Sequence, residues 1–193
     1  MLSNELFASL AILLTIIGVI PYVIGIFKGT VKPHAFSWFI WCLLAAIGSS
    51  AQYSAGAGPG SWTLAFGSLI CVFFTILAIW KGTRNITRTD WLSFILALSA
   101  IPLWIITNDP LWSVILVAGI DTVAYWPTIR KSWYFPHQEL IFTYLTGVMK
   151  HLLSLLAMAE YSLTTCLYPA TIASTSVVLI MVLVVRRRVI TCQ

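Results

Sequence analysis

The chain has 193 residues, of which 60% are hydrophobic and 9% charged, with a net charge of +5 and a mean hydropathy of +0.94. A soluble domain covers its surface with about a quarter charged residues, so this composition excludes a water-soluble fold and makes the bilayer the solvent. The positive charge does not point to nucleic acid, because Lys and Arg are distributed among short loops instead of gathered on one face.

Apolar stretches long enough to cross about 30 Å of hydrocarbon recur along the chain. Backbone polar groups must be satisfied internally in lipid, and the dyad alternation of a β-barrel is absent, so the spans are read as helices. The fold class is therefore all-α integral membrane, with seven spans at about 5–27, 35–55, 61–80, 90–107, 110–129, 139–159 and 166–185. The start, MLSNELFASLAILLTIIGVI, lacks a basic leader region and a small-residue cleavage site, and reads as a retained first helix, not a signal peptide. The breaks are KGTVKPH, GAGPGS, KGTRNITRT, the very short Asn108-Asp109-Pro110, RKSWYFPHQ, the AEYSLTT region and a closing RRRVITCQ. The cysteines Cys42, Cys71, Cys166 and Cys192 have neither metal-ligand nor redox spacing, and no metal or other cofactor is expected.

Charge orients the spans. Lys28 and Lys32 separate spans one and two; Lys81, Arg84 and Arg88 separate three and four; Arg130 and Lys131 separate five and six; Arg186, Arg187 and Arg188 follow span seven. Only Lys150 falls elsewhere. The positive-inside rule makes this side cytoplasmic, with the N-terminus outside and the C-terminus inside a cell inner membrane crossed many times. The sequon at Asn85-Ile86-Thr87 then faces the cytoplasm and is not expected to carry glycan.

A repeat is visible at a constant offset of 103 residues, which pairs Tyr22 with Tyr125, Lys28 with Lys131, Pro33 with Pro136, His34 with His137, Phe39 with Phe142 and Trp41 with Tyr144. The same register lays span one on five and two on six, brings three near seven and leaves span four over. This divides the chain into residues 1–81, a linker helix region at 82–109, and residues 110–193 with a basic tail. An odd central span makes the two halves run parallel, a plan found in transporters whose halves are related by an axis along the membrane normal.

Here the chain resembles the SWEET and PQ-loop superfamily of seven-span transporters, as a divergent bacterial-type member. The resemblance rests on Pro21 through Lys28 to Ser37-Trp38, and on Pro127 through Lys131 to Pro136-His137, each a proline low in the first helix of a repeat followed by a short basic loop. It implies a 3+1+3 fold, with Pro21 and Pro127 as hinges. Neither proline is followed by Gln, and Asn4, Asn85 and Asn108 all lie at span ends, away from where SWEETs place an Asn pair for sugar. A sugar substrate does not follow from the fold plan.

Asp121 and Lys150 are the charges placed deep in spans, roughly 13–18 Å from the cytoplasmic side at 1.5 Å per residue. A lone charge there costs at least about 2.5–3.5 kcal/mol, so each needs protein, water or a partner around it. The readings are an Asp121–Lys150 pair that gates, a proton or substrate-anion site, or a static structural pair. Polar or small residues recur at helical spacing around them. They are Thr143, Thr146, Gly147, Lys150 and Ser154 on span six and Asp121 with Tyr125 on span five. Span two carries Trp38, Trp41, Ala45, Ser49 and Gln52, span three Gly67, Cys71 and Thr75, and span seven Thr171, Ser174 and Thr175. Such stripes also serve close helix packing. From them, Asp121, Lys150, Tyr125, Trp41, Gln52, Thr146 and Ser154 are taken as the substrate or coupling site. Trp41 and Trp126 offer faces for stacking, against plain packing as the alternative. Lys28, His34, Lys131 and His137 are taken as a cytoplasmic gate; the competing reading for the histidines is a helix start whose ring caps the boundary.

The function expected is transport of a small polar solute by alternating access between two three-helix bundles. The partners are membrane lipid and that solute, with no nucleic acid, and a homo-oligomer is left open. The alternative is a non-transporting sensor or an accessory subunit of a membrane complex. A retinal photoreceptor is disfavoured because span seven has no Lys, and an enzyme because no metal or nucleophile motif is present.

Overall fold

A computed structural model describes residues 3–29, 33–82, 88–134, 136–139 and 141–190. The described residues form seven α-helices: α1 (Asn4–Phe27), α2 (Ala35–Ser54), α3 (Trp62–Lys81), α4 (Arg88–Thr107), α5 (Pro110–Tyr134), α6 (Ile141–Leu156) and α7 (Leu163–Val189). Short 3-10 turns at Gly58–Ser61 and Pro136–Gln138 precede α3 and α6. Among the described residues there is no strand.

Local chemistry accounts for the boundaries. Ser3 caps α1, its hydroxyl accepting from the Leu6 N–H at 3.3 Å. Ser162 and Thr165 form a reciprocal capping box at the start of α7. Between α4 and α5, Asn108 takes a left-handed φ of 51°, and Asp109 Oδ1 accepts from the Leu111 N–H at 2.9 Å. Pro110 then begins α5, where its missing N–H costs nothing.

Helix lengths depart from the sequence expectation at three places. α5 and α7 continue to Tyr134 and Val189, carrying their basic residues as a further helical turn, whereas α6 has only 16 residues. Among the described residues, four segments are long and apolar enough to cross a membrane by length and composition: Asn4–Phe27, Ala35–Ser54, Gly58–Lys81 and Leu163–Val189. α4, α5 and α6 contribute the shorter apolar stretches Phe94–Thr107, Pro110–Val123 and Ile141–Leu156. The outer face of α1 presents Leu6, Leu10, Leu13, Ile17, Ile20 and Ile24 to the surroundings at helical spacing, an apolar stripe suited to lipid and not to water.

Packing is not sequential. α3 lies against both α1 and α2, and α7 lies against both α5 and α6. Between these two triplets, α1 packs on α6 and α2 on α5, while α4 covers α5 and α2 from outside. One apolar core, around Leu44, Ala51, Val114 and Val117, joins α2 to α4, α5 and α7; a smaller one, around Ile26, Phe74 and Leu77, holds the first triplet together. α1 approaches α6 closely at Gly18, where a Cβ would stand 3.0 Å from Thr146 Oγ1.

Candidate functional site

A cavity of about 500 Å³ opens along the seam between the triplets, lined from α1, α2, α3, α5, α6 and α7. On α3 its lining runs from Leu64 to Phe74, ten residues or about 15 Å along the helix axis. Its walls differ in character. One is an interlocked aromatic cluster of Tyr22, Trp38, Trp41 and Phe74. Trp38 stacks on Phe74 at 4.4 Å between centroids, Trp41 meets Trp38 edge-on at 5.1 Å, and Tyr22 meets Phe74 edge-on at 5.0 Å. Edge-to-face contacts hold rings in fixed relative orientation, so this wall is preformed.

The other walls carry the ionisable groups. Asp121 of α5, Lys150 and His151 of α6, and Cys71 and Tyr168 of α3 and α7 all line the cavity. The expected Asp121–Lys150 ion pair is not formed. The Asp121 carboxylate instead accepts a hydrogen bond from the Tyr168 hydroxyl and is 7% exposed. Among the described residues no carboxylate lies within the 4.0 Å of an ion pair to Lys150. Among the described residues α5 and α6, though neighbours in sequence, each pack along α7 and not closely on one another. Cys71 of α3 lines the same cavity as both groups. Tyr125, one helical turn from Asp121, pairs its hydroxyl with Ser176 Oγ at 3.1 Å.

Of the residues expected at the site, Asp121, Lys150, Tyr125, Trp41 and Thr146 line the cavity, whereas Gln52 and Ser154 do not. Those two close the end away from the basic loops. Gln52 Nε2 donates to the Thr165 carbonyl at 3.0 Å, and Ser154 Oγ to the Gly60 carbonyl at 2.8 Å. Beside them Asn4 Nδ2 donates to the Met158 carbonyl at 3.1 Å, and the Ala159 N–H to the Ala57 carbonyl at 3.0 Å. All four bonds cross from the first triplet to the second. At the basic end the described bonds of Arg186, Arg187 and His137 stay within the second triplet, reaching Trp133, Pro136 and Ile190 respectively.

Three of the residues expected at a cytoplasmic gate, Lys28, His34 and His137, lie among those whose side chains are described. Lys28 is exposed at the end of α1. His34 begins α2, its Nδ1 2.7 Å from Ser37 Oγ, and His137 Nε2 reaches the Ile190 carbonyl at 3.0 Å. The Lys131 and Pro127 side chains, and that of Trp126, lie outside the described residues, as does Lys32. Pro21 is exposed within α1, which continues unbroken past it to Phe27.

Among the lining residues that escaped the sequence reading, two are ionisable, His151 and Tyr168. His151 is the one histidine remote from the loops, and its place beside Lys150 was a legible sign of a third intramembrane ionisable group. Tyr168 had no such sign, since its partner Asp121 lies 47 residues away.

Composition and fold define the class as an α-helical, membrane-embedded protein. No protein-family model, curated protein or solved structure matches the chain.

Proposed function

We propose that the chain is a multi-pass inner-membrane transporter that moves a small polar solute by alternating access between the α1–α3 and α5–α7 bundles. The observation that carries this reading is the seam cavity itself. It holds intramembrane Asp and Lys side chains, and one end is shut by hydrogen bonds that all cross the seam. A purely structural bundle would gain stability by filling such a volume with apolar side chains, and charged groups facing a membrane cavity mark solute or ion pathways.

The packing also supports two parallel repeats. Exchanging α1 with α5, α2 with α6 and α3 with α7 turns each inter-helix contact of one half into a contact of the other. α1–α3 maps onto α5–α7, α2–α3 onto α6–α7, α1–α6 onto α5–α2, and α2–α7 onto α6–α3. This is the 3+1+3 arrangement expected of a SWEET-like or PQ-loop-like chain with α4 as the odd span. On that plan all seven helices cross the bilayer, the basic loops are cytoplasmic, and the sealed end faces outside. The chemistry lies where the halves differ, because the repeat partners of Asp121 and Lys150 are Gly18 and Ile47.

The test is efflux from proteoliposomes loaded with a mixture of monosaccharides, amino acids and monocarboxylates. The wild type releases a selected component, and Asp121→Asn, still monodisperse and helical, does not. Equal release by both proteins removes Asp121 from the mechanism; no selective release by either removes the transport reading.

A further inference from the structure

We infer that the cavity binds a small organic anion, a monocarboxylate with a flat apolar body, through Lys150; the inference rests on reading the cavity as a solute site. Three observations carry it. First, the charges of the cavity are unequally committed. Asp121 is almost wholly covered and accepts from Tyr168, whereas Lys150 lines the cavity with no carboxylate at ion-pair distance among the described residues. An ammonium group at this depth needs a counter-charge, and the cavity is the side from which one can be supplied.

Second, beside hydroxyl groups such as those of Thr15, Thr143 and Thr146, the cavity that Lys150 lines has an aromatic wall, provided by Trp38, Trp41, Tyr22 and Phe74. An inorganic anion would satisfy the amine and leave that wall uncovered. A planar hydrocarbon body stacks on it and removes apolar surface from water. Third, about 500 Å³ lies within the range of small-molecule pockets, roughly 300–1,000 Å³, and excludes a macromolecular occupant. Asp121 shares the cavity, so a zwitterion is the rival occupant, with its ammonium on the carboxylate. The Tyr168 bond and the covering of Asp121 weigh against that rival.

The test is calorimetric titration of the full-length protein in nanodiscs with 3-phenylpropionate, phenylalanine, 2-phenylethylamine and xylitol. The inference expects 3-phenylpropionate to bind most tightly. Lys150→Gln should weaken it about 10- to 100-fold, the loss of one charge-assisted hydrogen bond, and Lys150→Arg should retain most of the affinity. Removing a membrane-buried amine does not threaten folding, and unchanged helicity and elution of Lys150→Gln verify this. Tighter binding of phenylalanine or 2-phenylethylamine, or 3-phenylpropionate binding indifferent to Lys150→Gln, overturns the inference. Flux separates it from the reading beneath it. Lys150-dependent binding without flux upholds the anion site and removes transport, whereas selective xylitol flux without carboxylate binding upholds transport and overturns the anion site.

Discussion

The Tyr168 hydroxyl donates to the Asp121 carboxylate, tying α7 to α5 inside a membrane cavity. The bond gives the carboxylate a donor, and Lys150 of α6 lines the same cavity with no carboxylate at ion-pair distance among the described residues. A chain with one deep acid and one deep base would ordinarily be expected to pair them. Here α5 and α6 each pack along α7 and not closely on one another, and Asp121 is bonded to Tyr168 instead.

Tyr168→Phe should therefore lower stability by about 1–2 kcal/mol, the upper part of the range for hydrogen bonds between membrane helices. In a double-mutant cycle with Asp121→Asn, followed by unfolding in mixed micelles, the two changes should be non-additive by a similar amount. Strict additivity would mean that the bond contributes nothing.

Gly18 is where α1 meets α6, and a Cβ there stands 3.0 Å from Thr146 Oγ1, closer than ordinary van der Waals contact. Gly18→Val should cost about 1–3 kcal/mol by overpacking. Thr146→Ala, by removing the atom that is struck, should recover at least half of this. Thermal unfolding of the single and double variants reads both values, and absence of rescue would place the damage elsewhere.

Arg187 holds the segment between α5 and α6 with a fork, its Nε donating to the Pro136 carbonyl at 3.0 Å and a terminal nitrogen to the Glu139 carbonyl. Lysine presents a single ammonium and cannot reproduce that fork. Arg187→Lys should make this segment cleave several-fold faster when protease is added to inside-out vesicles, while Arg188→Lys, at an exposed position, leaves the rate unchanged. Cleavage in right-side-out cells instead would reverse the orientation assigned from charge.

The four bonds closing the end away from the basic loops are modest individually, at about 0.6 kcal/mol on average for membrane helices. On the proposed alternating-access plan, removing two of them with Gln52→Ala and Ser154→Ala should shift the balance towards an outward-open state by about five- to tenfold. Labelling of Cys71 from outside should accelerate by the same factor, and an unchanged rate would show that these bonds do not hold the gate.

Helices were legible in the sequence because lipid demands long apolar runs and their ends carry strong punctuation. Asn108-Asp109-Pro110 is one such mark, supplying a left-handed residue, a cap and a first-turn proline in succession. Asp121 and Lys150 were legible because charge is costly in hydrocarbon, but their relationship was not, since it depends on how α5 and α6 each pack along α7. The hydroxyl stripes misled in part for a physical reason. Thr75, Thr175 and Ser49 bond back to the Cys71, Thr171 and Ala46 carbonyls of their own helices, which satisfies them without a pathway. Gln52 and Ser154 share a face with cavity residues in sequence, yet sit further along their helices, where the seam closes.

Alternating access is tested most directly at Cys71, which lines the cavity on α3 with its thiol free. In a background with Cys42, Cys166 and Cys192 replaced by Ala, a membrane-impermeant thiol reagent is applied separately to right-side-out and inside-out vesicles. Alternating access predicts that Cys71 is modified from both sides, faster from the cytoplasmic side and, from outside, faster still once Gln52 and Ser154 are changed to Ala. Modification from one side alone, unaffected by those substitutions, would contradict it.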